Sequence, residues 1–298
     1  MPVYGHIKAN RTRTFFLFFG FSLLFFAMGY ALGWYMGEPL MGIIIAAVIA
    51  VFVILISYYS GHNIVTSMAG AHPVNKEKEP YLYHTVEGLS IAAGIPTPQT
   101  YIIETDIPNA FAAGRRPEKA IVAVTRGLLN RLNRLELEGV IAHELSHIRN
   151  YDILIATMAI VLAGTIVFVS EIARRSMWYG RMGGRRRNSG KSQGLVIVVV
   201  IVLAILAPIF ARILQFAISR EREYLADASA VELTGYPEGL ASALEKISGQ
   251  QIQDGPLDKQ ALQGLYIVNP ALRARGSASH IFATHPPMDK RVKRLREM

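Results

Sequence analysis

The chain has 298 residues, of which 51% are hydrophobic and only 18% charged, with a formal net charge of +9 and no cysteine; its mean hydropathy is +0.29. This excludes an ordinary soluble domain, a disulfide scaffold, a thiolate metal site and a thiol nucleophile. The stretch His62–Asn150 balances nine Lys/Arg against nine Asp/Glu, so the basic excess lies mainly in Lys8, Arg11 and Arg13 and in Arg174–Lys191, which has seven basic residues and no acid. A nucleic-acid-binding protein carries its charge on a folded domain; here the charge flanks apolar segments, which indicates a membrane partner and no nucleic acid.

Phe15–Met36 runs for 22 residues without a charge and Met41–Tyr59 for 19. Spanning a bilayer as a helix takes roughly 20 residues, so the pair reads as a transmembrane hairpin turned at Gly37, Glu38 and Pro39. The basic tail before it predicts a cytoplasmic N-terminus. A secretory signal peptide would have a shorter apolar core and a small-residue cleavage site, and neither is seen. Pro80–Ala93 has helical spacing at Leu82, Val86, Leu89 and Ala93 and is ended by Gly94. Gln99–Glu104 and Ala120–Thr125 read as short strands around a turn-rich Asp106–Pro117. Asn133 is an N-cap, with Glu136 three residues on, for a helix through Val140, Ile141 and Leu145. Ile153–Val169 and Leu195–Ala211, 17 residues each, are borderline. They read as membrane helices flanking the basic loop Arg174–Lys191, with buried core helices, or a buried strand at Leu195–Ile205, as the alternatives.

The chemistry concentrates in His143-Glu144-Leu145-Ser146-His147. Helix positions i and i+4 share a face, so both imidazoles reach one zinc ion while Glu144 serves as base for its water. A solvated amphipathic helix is the plainer alternative. It conflicts with the apolar neighbours Val140, Ile141, Ala142, Leu145 and Ile148, among which polar groups need partners. A hydrolytic zinc site needs a third protein ligand. Glu223 is a candidate, with Asp227 one turn on, placed to orient a ligating His by a hydrogen bond. An exposed face of Arg–Glu pairs fits Arg220–Asp227 equally well. His6, His62, His72, His84 and His280 show no pattern.

Taken in order, these motifs resemble those of the HtpX-type membrane zinc metalloproteases, relatives of the type I CAAX prenyl proteases. The resemblance covers a two-span hairpin, Pro108-Asn109-Ala110-Phe111-Ala112, the HELSH at 143–147, two further apolar segments, Glu223-Tyr224-Leu225-Ala226-Asp227 and Thr284-His285-Pro286. It implies His143, His147 and Glu223 as zinc ligands and Glu144 as the catalytic residue, in a gluzincin-like enzyme. It also implies cleavage of membrane proteins in quality control and stress response. Asn109, Ala110 and Phe111 would form an edge strand that binds an extended substrate; an ordinary turn and strand start is the alternative. His285 would stabilise an oxyanion or cap the last helix, Pro286–Glu297. Arg220 would do either or neither.

The expected fold is a mainly α integral membrane protein. Four apolar membrane helices carry a zincin-like protease domain, helices plus a small β-sheet, split around the second hairpin. The divisions are 1–60, 61–152, 153–216 and 217–298. His143 and His147 precede the third apolar segment and Glu223 follows the fourth. One ion therefore requires those two segments to cross together or not at all. If they cross, Arg174–Lys191 lies outside, against the positive-inside rule; helices that dip in without crossing are the alternative. The expected location is the cell inner membrane, multi-pass, with the site facing the cytoplasm. The partners are lipid and unfolded or membrane-protein substrates. An intramembrane site-2-type protease, a prenyl-peptide protease and a non-enzymatic scaffold with a structural metal are the competing functions.

Overall fold

Two long helices, α1 (Val3–Met36) and α2 (Pro39–Ala69), form the hairpin read from the sequence. They are observed in a computed structural model that describes residues 3–182, 220–248 and 286–298. Both are long and apolar enough to cross a membrane. Gly29, Gly33 and Gly42 bring the backbones together: a Cβ on Gly33 would stand 2.6 Å from the Glu38 carbonyl oxygen and 3.0 Å from the Gly42 Cα. Small residues allow such an approach where lipid removes the hydrophobic drive between helices. Large side chains face outward instead, from Phe15 to Met36 on α1 and from Leu40 to Tyr59 on α2. Leu40 to Tyr59 measures about 30 Å at the helical rise, the thickness of a bilayer's hydrocarbon core. Beyond Tyr59, α2 continues for ten residues as a post into the folded domain.

That post packs on a mixed four-stranded sheet of order β1-β2-β4-β3, built from β1 (Ala71–Pro73), β2 (Gln99–Ile103), β3 (Ala110–Gly114) and β4 (Ala120–Thr125). β2 runs parallel to β4, while β1 on β2 and β3 on β4 are antiparallel, with Ala112 opposite Val122. Every β4 residue is buried, which explains its unbroken apolar run. Alternate side chains divide between two cores. Ala110, Ala112, Val122 and Val124 join the helices α3 (Pro80–Ala93) and α5 (Arg134–Arg149). Phe111, Ala113, Ile121 and Ala123 join α2 and α6 (Asp152–Met182). The sheet is therefore a plate between the membrane post and the helix that bears HELSH.

The Asp106–Pro117 stretch, expected to be turns, thus contains a strand. Ala-Phe-Ala-Ala-Gly has little intrinsic strand preference, and pairing with β4 and burial on both faces override it. At its end Gly114 adopts φ +148°, and a Cβ there would lie 2.5 Å from the Lys119 carbonyl oxygen. A short turn α4 (Arg126–Arg131) leads to α5. There Asn133 and Glu136 form the expected capping box. Glu136 also accepts from Ser242 (2.8 Å) and Lys246 (2.7 Å) on α8 (Pro237–Ser248), which follows α7 (Arg220–Thr234). The last helix, α9 (Met288–Arg296), closes the domain.

α5 and α6 meet at 87°, with Tyr151 at φ 59° in the corner. The third apolar segment, Ile153–Val169, lies on α6. That helix runs on to Met182, so the basic stretch expected as loop begins as helix. Its remainder and the fourth segment, Leu195–Ala211, lie outside the described residues.

Candidate metal centre

One turn of α5 puts His143 and His147 on the same buried face, their Nε2 atoms 3.2 Å apart. α7 lays Glu223 across them, Oε2 3.7 Å from His143 Nε2 and Oε1 3.6 Å from His147 Nε2. The three ligand atoms lie within 4.8 Å of one another. Glu144 is buried beside them, 3% exposed.

The outer sides of both rings fix which nitrogen faces inward. His143 Nδ1 lies 3.0 Å from Asp227 Oδ1, and His147 Nδ1 lies 3.0 Å from Asp152 Oδ2. An ionised carboxylate only accepts hydrogen bonds, so each Nδ1 carries its proton outward. In the neutral rings both Nε2 lone pairs then point at the Glu223 carboxylate. Two imidazole acceptors and one anion converging in a buried place need a cation between them, and this donor set suits a divalent metal of zinc's type.

Without a metal, a proton serves as that cation. Burial opposes ionisation of Asp227, but Arg291 and His143 prevail and hold its pKa at about 2. Burial also pushes the His147 imidazole down. The Asp152 carboxylate, with Glu223 and Glu144 nearby, outweighs this and holds it at about 9. A proton on Nε2 therefore competes with a metal ion, and metal binding would displace it.

Behind each carboxylate stands an arginine. Arg291, wholly buried on α9, grips Asp227 with Nε to Oδ2 at 2.9 Å and one terminal nitrogen to Oδ1 at 2.7 Å. Its other terminal nitrogen lies 3.6 Å from Glu223 Oε2. Arg222 stands behind Asp152 at a looser 3.8 Å.

The structure thus brings together His143, Glu144, His147, Glu223 and Asp227, with Asp227 against His143. Glu221 is exposed. The other expected site residues are placed differently. Asn109 is buried, and its side-chain oxygen accepts from the Ala110 N–H at 3.0 Å, which fixes the start of β3. Ala110 faces the α5 side of the sheet, whereas Phe111 packs into the opposite core against α2 and α6. Among the described residues β3 is the last strand of the sheet, and all five of its residues are buried. Arg220 is exposed at the start of α7, and His285 lies outside the described residues.

Asp152, Arg222 and Arg291 escaped the sequence reading. Arg291 left a trace: it falls on the stripe Met288, Val292 and Leu295 that packs α9 into the core. A charge at a helix's apolar positions signals a buried partner. Asp152 left none, because it reaches His147 only through the corner at Tyr151.

Residues 76–298 match peptidase family M48. The protease HtpX homolog of Dictyoglomus thermophilum is 47% identical over 295 residues, covering 99% of this chain and 94% of that protein. The homolog of the same description in Streptococcus gordonii is 46% identical over 299 residues, covering 99% of this chain and all of its own length. Among solved structures, the crystal structure of S. mikatae Ste24p overlays with a TM-score of 0.48 at 19% identity. The overlay covers 91% of this chain and 62% of that one.

Proposed function

Because this chain belongs to peptidase family M48 and is a membrane-bound metalloprotease, we propose that it is a zinc endopeptidase cutting membrane proteins, misfolded or damaged ones in particular, near the cytoplasmic face of the cell inner membrane. In this reading His143, His147 and Glu223 hold one zinc ion. The observation that carries it is the inward convergence of two Nε2 atoms and the Glu223 carboxylate, with both Nδ1 atoms tied outward. A bound zinc ion supplies Lewis acidity, polarising the scissile carbonyl and lowering the pKa of water.

The remaining work falls to the chain. Glu144 accepts a proton from water as its oxygen attacks the peptide carbonyl carbon. It then delivers that proton to the leaving nitrogen as the C–N bond breaks. Asp227 and Asp152 hold the two rings in register. A substrate in extended form pairs with β3, the last strand of the sheet among the described residues. Arg220 and His285 are the candidates for stabilising the oxyanion. The apolar stretches Ile153–Val169 and Leu195–Ala211 form a second membrane hairpin, giving four spans. The positive N-terminal flank supports a cytoplasmic N-terminus.

The test is zinc stoichiometry and initial rate on purified variants. Glu144→Gln keeps the metal and loses activity by about 10²–10⁴-fold. Glu223→Gln loses metal and activity together. Full zinc occupancy and a normal rate in Glu223→Gln would reject Glu223 as ligand.

A further inference from the structure

At the end of the hairpin that adjoins the folded domain, three features meet at one height. The exposed apolar band begins at Phe15 on α1 and, on α2, stops at Tyr59. The glycine contacts of the hairpin pair Gly29 with Gly42 and Ala46, and Gly33 with Pro39 and Gly42. Continued along the antiparallel pair, this register puts Tyr58 and Tyr59 level with Thr14 and Phe15, just past Arg11 and Arg13. This is the plane where hydrocarbon gives way to headgroups, and tyrosine belongs there.

Arg115 reaches into this plane from the folded domain. It follows the last residue of β3, and its guanidinium carbon sits 5.2 Å from the Tyr58 ring centroid and 4.7 Å from that of Tyr59. The two rings are edge-to-face at 5.2 Å, so they form a corner against which the guanidinium rests. Its Nε is buried and has no hydrogen-bond partner among the described residues. The carboxylate that stands close in sequence, Glu118, is engaged by Arg116 at 3.3 Å. Lys119, four residues on, is exposed. Arg115 and Lys119 both act electrostatically on His62, one turn beyond Tyr58 on α2. Among the described residues neither cation has an ion-pair partner. Arg115, braced on an interfacial tyrosine pair and without an anion among the described residues, thus stands at the level of the phospholipid phosphates, with Lys119 close enough to act on the same histidine.

We propose that Arg115, Lys119, Tyr58 and Tyr59 form a binding site for the headgroup of an anionic phospholipid of the cytoplasmic leaflet. The guanidinium and the ammonium take the phosphate, and the tyrosines flank the glycerol region. The site rests on α1 and α2 crossing the bilayer and does not depend on the reaction at the metal centre. Because Arg115 directly follows Gly114, an occupied site anchors the end of β3 to the membrane surface.

The experiment uses the full chain in neutral detergent, titrated with phosphatidylglycerol, with bound lipid per chain counted by native mass spectrometry. Arg115→Gln and Lys119→Gln each weaken binding by about fivefold, and the double variant by roughly twenty-five-fold, as expected for one charge each at an anionic surface. Arg134→Gln, whose partner Glu138 is on its own helix, leaves it unchanged. Should Arg115→Gln fail to fold, Lys119→Gln carries the test, since its side chain is exposed. Equal affinity in wild type and Lys119→Gln overturns the site. So does equal uptake of phosphatidylcholine, or displacement of the lipid by inorganic phosphate at matched concentration. Zinc content and peptidase rate, measured on the same preparations, report on the catalytic reading and are independent of this result.

Discussion

His143 and His147 stand one turn apart on α5, and each is backed by an aspartate and then an arginine. The two chains of contacts differ in tightness and in origin. Behind His143, Asp227 is clasped by Nε and one terminal nitrogen of a fully buried Arg291, at 2.9 and 2.7 Å. Behind His147, Asp152 meets Arg222 at only 3.8 Å. The first chain draws on α7 and α9, inside the folded domain. The second starts at the first residue of α6, at the corner where the chain turns toward the third apolar segment. One imidazole is thus clamped by the protein core, and the other is held by an element continuous with that apolar helix. Rigidity at a metal site comes from the second row of contacts, and here it is distributed unequally.

The sharpest way to break the comparison is Arg291→Met. It leaves Asp227 buried beside Glu223 without its cation, and loss of one partner from a buried pair costs about 3–5 kcal/mol. Thermal unfolding of the purified protein should show a large drop, whereas Arg222→Met, with its looser contact, should show a much smaller one. Equal losses would mean that the two sides are equivalent.

The aspartates test the same contrast through the metal. Asp227→Asn and Asp152→Asn should each lower zinc affinity by about 10–100-fold, as expected when the hydrogen-bond partner of a ligating imidazole is weakened. Asp227→Asn should lower the stability of the metal-free protein more than Asp152→Asn does, because it strands the wholly buried Arg291, whereas Asp152→Asn removes only the partner that raises the His147 pKa. Chelator competition followed by unfolding of the stripped protein separates the two effects.

The smallest effect concerns the front of α5, on which both histidines ride. Burial opposes ionisation of Glu136. Lys246, the Asn133 N–H and Ser242 outweigh it, so its carboxyl stays below the ordinary 4.5. A lowered carboxyl pKa stabilises the fold above 4.5 and loses that contribution as pH falls through the folded value. Wild type should therefore exceed Glu136→Gln in unfolding temperature at pH 7, and the gap should close as the pH is taken below about 4.5. A gap independent of pH would show that the capping geometry, and not the charge, fixes α5.

Much of this was written in local patterns. Asn133 with Glu136, Gly94 after its helix, and the uncharged runs of the hairpin each depend on neighbours in sequence, and each appears where expected. The shared face of His143 and His147 on α5 followed from the same one-turn spacing. Asp227 could be placed against a histidine only by assuming that Glu223 is a ligand. What stayed hidden depends on contacts across the chain. β3 is a strand because β4 and two helical layers enclose its alanines, not because of its own residues. Phe111 looked like a substrate contact beside Asn109, but strand alternation turns it toward α2 and α6. Arg291 and Asp152 join the site through α9 and through a right-angled corner, and spacing encodes neither.

The clasp on Asp227 also has a consequence in time. His143 and Arg291 are 148 residues apart, so a ribosome adding about 5–20 residues per second needs roughly 7–30 s to make one after the other. Throughout that interval the nascent chain already holds His143, Glu144 and His147, but not the arginine that braces the partner of His143. Placing this brace far downstream keeps the cluster incomplete until α9 has been made.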